Sequence, residues 1–222
     1  MERLAFDIAH LLAGGLVLLS FVMLYQDRMN GLIRVFALHA VVLSLSVGWQ
    51  AYSQAAPHLY ITAAIALVFK ALIIPYALHR IMVKLGVHRE IEIVGGIVPT
   101  MLLGIGLTAL SLAVMLQATE ATTADPLARE DLAFALSVVL LGLLMMVTRR
   151  NAVSQVIGFM TLENGMILAA AGAKGMPFVV EISVAFSVLI AFIVIGVFLF
   201  RIRERFDSVD IGALEQGRGD RI

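Results

Sequence analysis

The sequence predicts an all-α, polytopic membrane protein of about seven transmembrane helices. Three observations carry this. Apolar residues make up 61% of the 222 and charged ones only 14%, with a mean hydropathy of +0.98, whereas a soluble domain carries about 25% charged residues. The apolar residues fall in runs of about 20, enough to cross ~30 Å of hydrocarbon. The positive charges cluster in alternate connections between those runs.

The predicted spans are Ile8–Leu24, Gly31–Trp49, Leu59–Leu78, Ile93–Gln117, Leu132–Thr148, Ala152–Gly172 and Phe178–Phe200. Met1-Glu2-Arg3 has neither a basic n-region nor a small-residue cleavage site, so the first run reads as a retained span. The third run contains Lys70 and Pro75, and Pro75 is expected to bend it and free backbone carbonyls near Lys70. The fourth has no ionisable residue and reads as a packing helix, with Pro99 as an interruption. The longest polar connection, Ala118–Asp131, separates it from the fifth. The sixth contains Glu163 and Asn164.

Orientation follows from charge. The connections after spans one, three and five, with the tail, hold Arg28, Arg34, Arg80, Lys84, Arg89, Arg149, Arg150, Arg201, Arg203, Arg205, Arg218 and Arg221. The other side holds Arg3, Arg129 and Lys174. Under the positive-inside rule the N-terminus is outside and the tail cytoplasmic, in a bacterial inner membrane.

Composition also excludes functions. Zero net charge gives no electrostatic footprint for nucleic acid, and the absence of cysteine rules out thiolate metal sites, iron–sulfur clusters and disulfides. The cytoplasmic connections contain no phosphate loop, metal-ligand cluster or nucleophile with a base. Neither a cofactor nor a metal is expected on this chain, and any redox chemistry belongs to partners.

A shift of 121 residues places Asp27-Arg28-Met29-Asn30 on Thr148-Arg149-Arg150-Asn151, and His79-Arg80-Ile81 on Phe200-Arg201-Ile202. The chain therefore divides into a three-helix unit (1–90), a linking helix and loop (91–131), a second three-helix unit (132–206) and a tail (207–222). An odd linking helix makes the two units parallel. Internal repeats of this kind are familiar in transport folds.

Glu163 is the most informative residue. A carboxylate at the centre of a bilayer costs about 2.5–3.5 kcal/mol on insertion scales, so such groups mark ion paths, proton relays or buried pairs. Glu163 lies about twelve residues into its span and Lys70 about nine from the end of its own, which at ~1.5 Å per residue puts both near the midplane. His39 lies at similar depth, and histidine is the side chain that titrates nearest neutrality. Three titratable groups on different helices at one depth suit proton movement along the membrane plane. Asn164 is a hydrogen-bonding group between helices. A static ion pair between Glu163 and Lys70, and a satisfied core histidine, are the structural alternatives. Asp7, His10 and Glu181 sit at outer span ends, where solvation is cheap.

Arg150-Asn151, Gln155-Val156-Ile157-Gly158-Phe159 and Leu162-Glu163-Asn164-Gly165 together resemble component E of hydrogenase-4-type complexes, the small membrane subunit of group 4 energy-converting hydrogenases. Lys70-Ala71-Leu72-Ile73-Ile74-Pro75 and Asp207-Ser208-Val209-Asp210-Ile211-Gly212-Ala213-Leu214 fit the same family. Residues 149–206 are more distantly similar to the three-helix K subunit of respiratory complex I, but that subunit's two glutamates would fall near Met160 and Phe192, so its relay does not transfer intact. The resemblance implies a non-catalytic subunit of a complex I-related, ion-translocating oxidoreductase. Its partners would be antiporter-like and K/H-like membrane subunits, lipid and, indirectly, peripheral redox subunits. The residues alone leave a free-standing transporter or channel, or a membrane scaffold, as alternatives.

Overall fold

The computed structural model describes residues 2–85, 91–120, 126–172 and 189. Among these it is all-helical: α1 (Glu2–Tyr25), α2 (Met29–Ser53), α3 (Pro57–Ile65), a π-helical segment (Ala66–Ile73), α4 (Ile74–Leu85), α5 (Ile97–Glu120), α6 (Pro126–Thr148) and α7 (Ala152–Gly172). Helices α3 and α4 continue through the π segment as one span. Six helices are thus long and apolar enough to cross a membrane: Phe6–Tyr25, Met29–Ser53, Pro57–Arg80, Ile97–Met115, Asp131–Thr148 and Ala152–Gly172. The expected seventh span, Phe178–Phe200, with Glu181 and the tail, lies outside the described residues.

Of the helix ends that differ from the sequence expectation, those around α5 have a clear physical reason. Ile93–Gly96 does not belong to a helix. Gly95 and Gly96 take left-handed φ values of +81° and +88°, which a side chain resists and glycine accepts freely, and α5 begins only at Ile97. Pro99 therefore falls in the first turn of α5 and interrupts nothing, because the N–H it lacks has no intrahelical partner there. In the polar connection, α5 runs on to Glu120 and α6 starts at Pro126, a residue whose fixed φ suits a first helical position.

Helix α6 packs against α7, α5 and α1, while α2 packs against α1, α7 and the third span. The core lies between these helices, around Met23, Leu24, Leu32, Phe36, Leu43, Leu141, Ile157 and Met160. Helices α6 and α7 approach through small residues. A Cβ on Gly165 would stand 2.8 Å from the Val139 backbone nitrogen and 2.9 Å from the Ala135 oxygen; one on Gly158 would stand 3.1 Å from the Gly142 oxygen. Without a hydrophobic drive between helices in lipid, such close backbone contact is what holds them. Because Gly158 and Gly165 share one helical face, that seam turns Glu163 and Asn164 away from α6. Among the described helices α5 is the most peripheral: only 17% of its apolar stretch is buried, and Val98, Leu102, Leu103, Ile105 and Leu110 are exposed.

Hydroxyls tie the helices together. Ser44 Oγ donates to the Ala63 carbonyl at 2.8 Å, joining α2 to α3. Ser111 Oγ donates to the Ala133 carbonyl at 2.6 Å, joining α5 to α6. At one end of the bundle, the 91–96 strap crosses the ends of α1 and α6. The Ile91 N–H donates to the Asp27 carbonyl at 2.7 Å and the Val94 N–H to the Thr148 carbonyl at 2.8 Å.

Candidate functional site: a buried polar chain between four spans

Each polar group of the site is set by its own helix. Asn151 caps α7: its Oδ1 accepts the Val153 N–H at 2.9 Å, as a preferred cap residue does for the second helical N–H. Twelve residues on, Glu163 is fully buried beside Asn164. Lys70 lies within the π segment Ala66–Ile73. π-Helical turns are rare and concentrate at functional sites. Pro75 follows directly in the first turn of α4. It cannot donate to the ladder, so a regular α-helix here would leave the Ala71 carbonyl without its donor. The expected disturbance at Pro75 thus takes the form of a widened ladder around Lys70. His39 projects from the middle of α2 and is fully buried.

The structure brings all of these together. Lys70 Nζ stands 3.1 Å from Glu163 Oε2, with the two side chains 1% and 0% exposed. The same ammonium donates to Asn164 Oδ1 at 2.7 Å. Asn164 Nδ2 lies 3.1 Å from His39 Nδ1. The other ring nitrogen, Nε2, is 3.2 Å from Ser20 Oγ, and Ser20 donates to the Leu16 carbonyl at 2.8 Å. A continuous polar chain therefore runs from α7 through the third span and α2 to α1. Glu163, Lys70 and His39, the three candidates drawn from the sequence, all lie in it, with Asn164 as the link and Pro75 behind Lys70.

Two residues of consequence escape a sequence reading. Ser20 ends the polar chain, and its only signal is a hydroxyl within the apolar stretch Leu16–Leu24. Arg149, grouped above with the solvated cytoplasmic charges, is only 1% exposed. Its Nη1 donates to the Gln26 carbonyl at 2.7 Å, and its Nη2 to those of Met23 and Leu24 at 3.1 and 2.7 Å. It caps the C-terminal end of α1, where unpaired carbonyls and the helix dipole favour a cation. Burial lowers its pKa to about 10 while nearby Asp27 acts to raise it, so it stays charged at neutral pH. Its neighbour Arg150 is exposed and stands 3.5 Å from exposed Glu92.

At the opposite end of the bundle, His10 Nδ1 of α1 lies 3.5 Å from Asp131 Oδ1 of α6. The His10 ring also packs edge-on against Phe134 at 4.8 Å between centroids. Asp7 makes no contribution to the buried chain. No group of three or more potential metal-ligating side chains occurs among the described residues.

No family model matches the chain, and no solved structure matches it. It is 30% identical over 208 residues to the uncharacterized protein Rv0085 of Mycobacterium tuberculosis, a match covering 93% of this chain and 94% of that protein. The chain belongs to the family of Rv0085. A match of that extent must run through residues 20–164, and so through every helix that contributes to the polar chain.

Proposed function

We propose that this protein is a non-catalytic membrane subunit of a complex I-related, ion-translocating oxidoreductase, of the group 4 membrane-bound hydrogenase kind. It would help couple electron transfer in partner subunits to proton or sodium movement through antiporter-like subunits. The observation that supports this best is the Glu163–Lys70–Asn164–His39 chain. Ionisable groups within a bilayer are costly and mark ion or proton paths by default, and these three occupy three different spans in one connected run. The resemblance of the Lys70–Pro75 and Leu162–Gly165 segments to component E gives that path a context.

The scaffold reading has one observation of its own. The Lys70–Glu163 contact satisfies both charges without any mobile group, as a static interhelical pair would. The two readings part over whether ionisation at Glu163 is needed for pumping, a test taken up below.

In this reading the chain has no active site, binds no cofactor, and works only in a larger assembly. Affinity purification in mild detergent is expected to bring down large antiporter-like membrane subunits together with iron–sulfur or nickel subunits. Isolation of a stable, active transporter consisting of this chain alone would overturn the proposal.

In this reading the Arg28–Arg149 end of the bundle faces the cytoplasm of a bacterial cell, an orientation supported by the twelve-to-three distribution of positive charge. In a chain without native cysteine, a cysteine at position 218 should be protected from a membrane-impermeant maleimide in whole cells, and one at position 54 labelled. Labelling at 218 and protection at 54 would reverse the orientation.

A further inference from the structure

The direction of every hydrogen bond in the buried chain can be assigned from what each group can donate or accept. A lysine ammonium only donates, so the atom 2.7 Å from Lys70 Nζ must be the Asn164 oxygen. That places the carboxamide NH2 against His39 Nδ1, which must accept and so carries no proton. The ring proton then sits on Nε2 and is donated to Ser20 Oγ. The Ser20 O–H in turn donates to the Leu16 carbonyl, which can only accept. All four donors point from Lys70 toward α1, and the polarity is fixed at both ends.

The reverse arrangement follows from the same rules. A proton on His39 Nδ1 would face the Asn164 NH2, donor against donor, in a site where all the groups are at most 1% exposed. An unmade bond there costs about 1–3 kcal/mol, and more where a charge is involved. The conflict is relieved by a half-turn of the carboxamide that brings Oδ1 to His39. The turn sets the NH2 against Lys70, which then has to be a neutral amine offering its lone pair. We infer that the Asn164 carboxamide is a two-position selector that permits a positive charge on Lys70 or on His39 but never on both. The two charged states differ by one N–H bond broken at Lys70 Nζ, one formed at His39 Nδ1, and the turn of the amide. Of the described titratable groups next to this junction, the third span supplies Lys70 and α7 supplies Glu163, while α1 supplies a neutral hydroxyl, that of Ser20.

Such a selector would prevent two protons from loading one path at once, a use that rests on the relay reading above. The selector itself is a positioning function, and its test reads protonation directly. The full chain, 15N-labelled at histidine and lysine in lipid nanodiscs, distinguishes protonated from unprotonated ring nitrogens. The His39→Gln spectrum assigns His39 among the five histidines. In the wild type, His39 should show Nε2 protonated and Nδ1 unprotonated at every pH at which the lysine signal shows Lys70 as an ammonium. Lys70→Met frees the carboxamide, so a protonated Nδ1 signal should appear on acidification. Asn164→Asp offers an oxygen to both sides, so His39 should become doubly protonated while Lys70 remains charged. A doubly protonated His39 beside a charged Lys70 in the wild type overturns the inference, as does an Nδ1–H tautomer there. So does a His39 spectrum unchanged in both variants. The wild-type measurement needs no variant to fold, and a failure of proton translocation in the complex would sink the relay reading while leaving this result intact.

Discussion

Lys70→Met and Glu163→Gln are each expected to impair assembly, and the double variant to restore it. Both groups are buried to within 1% of complete and stand 3.1 Å apart. Removing either breaks this buried ion pair from one side, at a cost of about 3–5 kcal/mol. The ammonium left by Glu163→Gln still donates to Asn164 Oδ1, which limits what that single change costs. Quantitation of the subunit in isolated membranes, and its co-migration with partner subunits in native gels, measures this. Lack of rescue in the double variant would show that the pair is not what the singles lose. The double variant also separates the functional readings. It retains a neutral, well-packed junction but no ionisable group at positions 70 and 163. A relay predicts normal assembly with loss of proton uptake by inverted vesicles. Undiminished uptake in the assembled double variant would leave only the scaffold.

Arg149→Met should lower the thermal stability of the detergent-solubilised protein by a large margin, while Arg150→Met leaves it nearly unchanged. The adjacent arginines differ in what they touch. Arg149 is 1% exposed and satisfies two carbonyls of the last turn of α1, Met23 and Leu24, and that of Gln26 just beyond it. Hydrogen bonds that involve a charged group contribute about 1.5–3 kcal/mol each, and such terms are not additive within one cluster. A loss of about 3–5 kcal/mol is the reasonable scale for removing this one. Arg150 meets Glu92 at 3.5 Å with both side chains more than 70% exposed, a geometry that contributes little. Arg149→Lys should rescue only partly, because a single ammonium lacks the planar fork that spans three carbonyls. Fluorescence-detected size exclusion after graded heating ranks all three variants. Equal midpoints for Arg149→Met and Arg150→Met would remove the cap from the account of stability.

That pair of arginines shows where sequence and tertiary structure divide the work. Apolar run length, the interruptions between runs, and the count of residues from each helix end are properties of the chain itself. They place seven spans, six of which are long apolar helices among the described residues, and put Glu163, Lys70 and His39 at similar depth, since each residue advances a helix by about 1.5 Å whatever surrounds it. The left-handed glycines at Gly95 and Gly96 were open to inspection too, yet an apolar window running from Ile93 concealed that α5 starts at Ile97. Rotation about the helix axis is another matter. Which face meets which neighbour depends on packing, here on the glycine seam between α6 and α7 that turns Glu163 and Asn164 away from it. Ser20 shows why its role was invisible. A helical serine commonly satisfies itself on the carbonyl four residues back, as Ser20 does on Leu16, so its hydroxyl gives no sign of a second partner. The sequence by itself determined a membrane domain and the depth of its charges. Only the tertiary structure decided their partners: Lys70 with Glu163 and Asn164, His39 between Asn164 and Ser20, and Arg149 on α1, because hydrogen-bond geometry is fixed by azimuth and contact rather than by position along the chain.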